Sequence, residues 1–217
     1  MHEWLSQLRG RFVVFDGPDG SGKSTQLRRF ARLAAEQGLV LCEVREPGGT
    51  PIGEQVRRIL LDPENVDMDL RCEMLLYMAS RAQLVNQKIL PAMQAGRLVL
   101  ADRFVSSTLA YQGAAGGLAE EDIRAVARVA VGAAWPDLVV IFDVDETTAA
   151  SRLNPLLDRI EQKGAEYHRR VRQGFLRQLD REPPRHLLID ARHETDTVFD
   201  NLLQSLADRV GRWPVRG

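Results

Sequence analysis

Residues 17–24 read Gly17-Pro18-Asp19-Gly20-Ser21-Gly22-Lys23-Ser24, the spacing G-x-x-x-x-G-K-[ST]. Each position has a physical reason. Glycines let the backbone curl until several N–H groups point at one anion, and the start of a helix adds the positive end of its dipole. Lys23 brings a mobile ammonium to β- and γ-phosphates, Ser24 offers a hydroxyl to Mg²⁺, and Thr25 continues the helix start. A glycine-rich turn without a ligand is the plainer reading. The flanks argue against it: Phe12-Val13-Val14-Phe15 before the loop reads as a buried strand, and Leu27, Phe30, Ala31 and Ala34 after it recur at helical spacing. The chemistry expected is ATP binding with Mg²⁺ and transfer of a phosphoryl group.

Other polar residues wait at the ends of apolar runs. Arg45 follows one, beside Glu46-Pro47-Gly48-Gly49. Alone, such an arginine is a surface ion-pair partner. Next to a Pro-Gly-Gly turn that lets backbone approach a ligand, it is a candidate phosphate clamp. Asp102-Arg103 follows another aliphatic run, where a carboxylate can orient a Mg²⁺ water and an arginine can hold an acceptor phosphate. An exposed ion pair is the alternative. Tyr77 and Arg81 stand at i and i+4 on one helix face. A ring and a guanidinium so placed can stack on a base and donate to its carbonyl, or serve as a core aromatic and a solvated charge.

The elements that position these residues alternate. Strands are expected at 12–15, 39–44, 98–101, 138–142 and 186–189. Helices are expected after the loop to Gly38, from Pro51, over 70–94 with a break or kink at Pro91, and at 105–112, 121–134, 146–153, 161–180 and 195–209. Continuous apolar strands between helices predict an α/β fold: one five-stranded parallel sheet, helices on both faces, three layers, a single domain over 1–217. Ligands of such sheets bind beyond the carboxyl ends of the strands, where Asp16, Arg45, Asp102-Arg103 and Asp143 fall.

A net charge of −1 offers no field for nucleic acid or anionic membrane, so anion sites must be built locally. Cys42 and Cys72 have neither metal-ligand nor redox spacing and read as reduced thiols. No apolar run reaches the length of a membrane span, and residues 1–11 lack signal-peptide architecture; the protein is expected in the cytoplasm. GTPases usually read guanine through N-K-x-D, which is not found here.

In order, the segments Phe15 through Gln26, Arg45-Glu46-Pro47-Gly48-Gly49-Thr50, Tyr77-Met78-Ala79-Ser80-Arg81, Asp102-Arg103-Phe104, Ala110-Tyr111-Gln112-Gly113 and Leu157-Asp158-Arg159-Ile160-Glu161 resemble bacterial thymidylate kinases over nearly the whole chain. The resemblance implies a P-loop kinase fold with a short lid at about 152–161, and transfer of the ATP γ-phosphoryl group to dTMP on the way to dTTP. It implies that Arg45 and Arg103 contact the acceptor phosphate, Pro47 walls the base pocket, and Tyr77 and Arg81 stack on thymine and bond its O4. It further implies that Ser107, Thr108 and Gln112 line that pocket, Tyr111 crowds the 2′ side of the sugar, and Asp19 reaches its 3′-hydroxyl. Ser24 and Asp102 would serve Mg²⁺, Arg152 and the backbone near Asp190-Ala191 the adenine, and the assembly would be a homodimer.

One departure stands out. Relatives without an arginine in the phosphate loop usually carry several basic residues in the lid. Here Asp19 is followed by Gly20, and the lid offers only Arg152 and Arg159. Transfer between two anions needs charge neutralisation, so these two arginines are expected to supply it. His168, Arg169, Arg170 and Arg172 are near enough to help, or form a solvated face. Other readings remain: a kinase for another pyrimidine nucleotide or a deoxynucleoside, or a nucleotide-binding regulatory protein with little turnover.

Overall fold

The computed structural model describes residues 3–152 and 158–213. A 3₁₀ turn, Glu3–Leu8, leads into β1 (Phe12–Asp16), α1 (Lys23–Glu36), β2 (Leu41–Arg45), α2 (Pro51–Leu61) and α3 (Leu70–Leu84). A π-helical stretch, Val85–Ile89, follows, then α4 (Leu90–Gln94), β3 (Leu98–Asp102), α5 (Val105–Thr108) and a second π-helical stretch, Leu109–Ala115. The chain continues with α6 (Glu120–Val131), β4 (Leu138–Asp143), α7 (Glu146–Arg152), α8 (Ala165–Arg181), a 3₁₀ turn at Pro183–Arg185, β5 (His186–Asp190) and α9 (Thr195–Val210).

The five strands form one parallel sheet in the order β2-β3-β1-β4-β5. Side-chain alternation along β1 shows why the sheet is covered twice. Phe12 and Val14 enter a core with Met78, Phe104, Ile123 and Phe175, from α3, α6 and the α8 side. Val13 and Phe15 enter a second core with Phe30, Leu202 and Leu206, from α1 and α9. A strand buried on both faces must be apolar at every position, which explains the unbroken run in the sequence.

Register aligns the chemistry. Arg45 pairs with Asp102, and Phe15 pairs with Asp102 from the other side, so β1, β2 and β3 deliver their polar ends to one rim. The adjoining helices start on defined caps: Thr50 Oγ1 accepts from Gly53 N at 3.0 Å, and Asp69 Oδ1 accepts from Arg71 N at 2.9 Å.

Several boundaries differ from expectation. The stretch 70–94 is helical, but Pro91 is accommodated without a stop. The chain widens into a π turn before it, and Pro91 falls in the first turn of α4, at the junction of the two helical forms. The expected helix 105–112 changes to π-helical form at Leu109 and extends to Ala115. The expected helix from 161 begins at Ala165, because Asp158 Oδ1 accepts from the N–H groups of Ile160 and Glu161 and holds a turn there. Within the expected lid, residues 153–157 lie outside the described residues.

Candidate active site

The loop 17–24 wraps back from β1 onto α1. Gly17 has φ +142°, and a Cβ there would run into the Phe142 carbonyl; only glycine lets β1 turn so close to β4. Gly20 has φ +77°, with the place of a Cβ taken by the Ala149 carbonyl of α7. That packing is a physical reason for the departure noted in the sequence, since no arginine fits at Gly20 in this loop conformation. Lys23 Nζ lies 3.5 Å from the Pro18 carbonyl and 3.8 Å from Asp19 Oδ1. Burial and the neighbouring Arg103 lower its ammonium pKa from the ordinary lysine value. Ser21 Oγ is buried without a hydrogen-bond partner, as suits a hydroxyl lining an anion cradle.

Beside the cradle, the Ser24 hydroxyl donates to Asp102 Oδ2 at 2.5 Å. A hydroxyl and a carboxylate side by side at the phosphate loop fit Mg²⁺, which takes one or two protein oxygens and completes its shell with phosphate and water.

Arg103 is the hub of the rim. Its backbone sits at φ +72°, a region disfavoured for any side chain and held here by the Arg103 N–H donating to Phe15 O at 3.0 Å. Its guanidinium pairs with Asp19, donates to Ser107 Oγ at 2.9 Å, and stands 5.1 Å from the Tyr111 ring. Tyr111 donates to Asp19 Oδ2 at 2.7 Å. Burial alone would raise the Asp19 carboxyl, but Arg103, Lys23 and the Tyr111 hydroxyl outweigh it and bring it to about 2. Asp16, fully buried, ties this cluster to β1 by accepting from Ser106 Oγ at 2.5 Å and Ser107 Oγ at 2.7 Å.

A cavity of about 310 Å³ opens from Lys23, Ser24 and Asp19 across Arg45, Asp102 and Arg103 to Pro47, Tyr77, Ser107, Thr108, Tyr111 and Gln112. Residues chosen from five separate stretches of sequence therefore face one space. Arg45 reaches it with its guanidinium held by Glu54 at 3.0 Å, and Glu54 also accepts from Gly49 N at 2.7 Å. Arg81 is the exception among the base-pocket candidates. It is 1% exposed, donates to Glu46 Oε2 at 2.7 Å and to Thr108 Oγ1 at 3.3 Å, and stacks on Phe104. It stands behind the cavity wall and acts on it through Glu46 and Thr108. Burial pushes the Glu46 carboxyl up to about 7 against the pull of Arg81.

A second cleft, of about 470 Å³, lies on the other side of the loop. Gly20, Ser21, Gly22 and Thr25 form one wall, Arg152, Ala191, Glu194 and Val198 the other. Arg152 Nη1 donates to the Ala191 carbonyl at 2.8 Å. The two clefts share the phosphate loop: Asp19, Lys23 and Ser24 line the first, and Gly20, Ser21, Gly22 and Thr25 the second.

The two lid arginines part company here. Arg152 is exposed at the second cleft. Arg159 is buried, with Nε donating to Leu60 O at 2.8 Å and Nη2 to Glu73 Oε2 at 2.5 Å. It is occupied away from the phosphate loop. Arg172 is also engaged, donating to both oxygens of Asp143 at 2.7 and 2.8 Å, and Arg169 pairs with Glu166 at 2.5 Å.

Sequence reasoning assigned no role to Asp16, Glu46, Glu54, Arg57 or Glu73. Arg57 lines the acceptor cavity and donates to Pro47 O at 3.0 Å. Glu73 had a usable signal: it lies four residues before Tyr77, on the helix face that carries the candidate base contact.

The family model for thymidylate kinase matches residues 15–202. The thymidylate kinase of Symbiobacterium thermophilum is 44% identical over 202 residues, covering 93% of this chain and 94% of that protein. That of Geobacillus sp. is 38% identical over 207 residues, covering 94% and 99%. The crystal structure of thymidylate kinase from Ehrlichia chaffeensis is similar with a TM-score of 0.74 at 30% identity, covering 91% of this chain and 98% of that one.

Proposed function

The chain belongs to the thymidylate kinase family, and on that footing we infer that it transfers the γ-phosphoryl group of ATP to dTMP, giving dTDP and ADP. The observation that carries the reading is the single cavity in which a phosphate loop, two arginines and a ring-and-amide pocket face one another. Lys23 and the loop N–H groups hold the β- and γ-phosphates. Arg45 and Arg103 hold the 5′-phosphate of dTMP, and Asp19, ionised at neutral pH, accepts from the 3′-hydroxyl while Tyr111 closes the 2′ side. Tyr77, Pro47, Thr108 and Gln112 surround the base. Adenine occupies the second cleft, beside Arg152 and the Ala191 backbone.

An oxygen of the dTMP phosphate attacks the γ-phosphorus in line. The new P–O bond forms as the bond to the β,γ-bridging oxygen breaks, and ADP leaves with that electron pair. No base is needed, because the acceptor is already an anion. The chain's contribution is position and charge. Ser24 and Asp102 would hold Mg²⁺, which would supply charge neutralisation on the phosphates.

One nucleoside monophosphate kinase domain over 1–217, acting in the cytoplasm as a homodimer, completes the reading. For the dimer, the support is a set of exposed apolar side chains, Ile52 and Ile59 on α2, Leu75 on α3 and Val129 on α6, on helices packed side by side. The test of function is an ADP-release assay with dTMP, dUMP, dCMP and thymidine. Preference for dTMP agrees; turnover with thymidine alone, or none at all, overturns the reading.

A further inference from the structure

Glu73 is a carboxylate the mechanism does not use, yet it lies 1% exposed in the middle of the molecule. Its Oε1 accepts from Gln112 Nε2 at 2.7 Å. Its Oε2 accepts from Arg159 Nη2 at 2.5 Å and faces Lys163 Nζ at 3.7 Å. Gln112, 2% exposed, is the side chain that reaches from this cluster to the acceptor cavity.

An amide has one donor end and one acceptor end, and its direction is set by what it meets. Paired with two cations, Glu73 can only accept. It therefore takes the NH₂ of Gln112 and leaves Oε1 as the end offered to the cavity. An oxygen there suits a base whose ring N3 carries a proton, as in thymine or uracil. Cytosine presents an unprotonated N3 at that edge and would meet a second acceptor.

We propose that Glu73 is a positioning residue for acceptor choice: it fixes the direction of the Gln112 amide and so selects an imide base against cytosine. The inference rests on dTMP as the acceptor and adds how the base is chosen. Arg159 has a part in it, because a group with donors only obliges whatever stands at position 73 to turn an acceptor toward it. In Glu73→Gln the new amide would give its oxygen to Arg159 and its NH₂ to Gln112. Gln112 would then turn round and present NH₂ to the base.

The experiment measures kcat/KM for dTMP and dCMP in wild type, Glu73→Gln, Gln112→Met and the double variant. Glu73→Gln is expected to lower the dTMP-to-dCMP ratio about 10- to 100-fold, the worth of one buried hydrogen bond reversed, with KM for ATP unchanged. In the Gln112→Met background the same substitution is expected to leave the ratio within about twofold, since no amide remains to turn. A ratio unchanged in Glu73→Gln, or changed equally in both backgrounds, overturns the proposal while dTMP kinase activity stands. A wild type that prefers dCMP overturns the proposed acceptor and this inference together. If Glu73→Gln does not fold, the wild type decides by NMR of its dTMP complex. Gln112 NH₂ protons protected from exchange and without contact to thymine agree; an NH₂ in contact with the ring overturns it.

Discussion

The Ser24 hydroxyl donates to Asp102 Oδ2 at 2.5 Å, joining the first turn of α1 to the carboxyl end of β3. Ser24 would hold Mg²⁺ and Asp102 would serve it as an outer partner. Removing such an outer partner weakens metal affinity about 10- to 100-fold. Asp102→Asn should therefore raise the Mg²⁺ concentration for half-maximal turnover by about tenfold or more. KM for dTMP measured at saturating Mg²⁺ should stay near wild type. Chelation of Mg²⁺ should stop turnover in both proteins, and activity that survives chelation contradicts the assignment.

Lys23→Ala tests the cradle. Among the described residues, Lys23 makes a 3.5 Å contact to Pro18 O and a 3.8 Å approach to Asp19, so its loss removes little that supports the fold. Turnover should fall by about 10³-fold or more, the scale of losing a cation on the transferring phosphoryl group. The urea midpoint should move little. Wild-type turnover in this variant would remove the phosphate-loop assignment.

How much of this site could be read from sequence follows from range. The phosphate loop and the five strands are local signals, set by residues within a few positions of one another, and all appear where expected. Gly20 illustrates the limit. Its replacement of an arginine is plain in the sequence, but its reason, the Ala149 carbonyl of α7 in the place of a side chain, lies across more than a hundred residues. The same holds for Arg81. Helical spacing puts it on the face of Tyr77, yet only the fold shows that Glu46 draws it behind the wall. Arg159 is the sharpest case: a cation in a short lid reads as catalytic, and only the fold shows that Leu60 and Glu73 stand beside it.

Arg81 and Glu46 form an ion pair with side chains 1% and 2% exposed. Deleting one partner of a buried pair strands the other, at a cost of about 3–5 kcal/mol. Arg81→Ala should lower stability by that order in urea unfolding and raise KM for dTMP more than KM for ATP, through displaced Thr108. Adding Glu46→Gln should recover part of the stability, because Glu46, held up to about 7 even beside Arg81, must otherwise take up a proton on folding once the guanidinium is gone. Additive losses in the double variant would show that the two residues act separately.

Leu75 is 51% exposed on α3, between helices that also expose Ile59 and Val129. If this face is covered by a second copy, Leu75→Asp should give a monomer by light scattering where the wild type gives a dimer. A wild type already monomeric at micromolar concentration overturns the homodimer.

The lid arginines should separate in a single set of measurements. Arg159 is buried between the Leu60 carbonyl and Glu73, so Arg159→Ala leaves a carbonyl and a carboxylate short of a donor. Lys163, 3.7 Å from Glu73, keeps part of the charge balance, and the expected loss is on the order of 3 kcal/mol of stability. At temperatures where the variant is folded, its kcat should fall little and its KM for dTMP should rise, since Gln112 shares the same carboxylate. Arg152 has the opposite placement. It is exposed, donates to the backbone carbonyls of Ala191 and Arg192, and faces the second cleft beside Gly20 and Gly22. Arg152→Ala should leave the urea midpoint unmoved and reduce kcat/KM for ATP by about tenfold or more, as loss of a contact to the phosphoryl donor does. With no arginine at Gly20 and Arg159 engaged elsewhere, Arg152 is the lid cation left beside the loop among the described residues. If Arg159→Ala instead lowers kcat about 10³-fold with stability intact, Arg159 leaves Glu73 during turnover and returns as the catalytic charge.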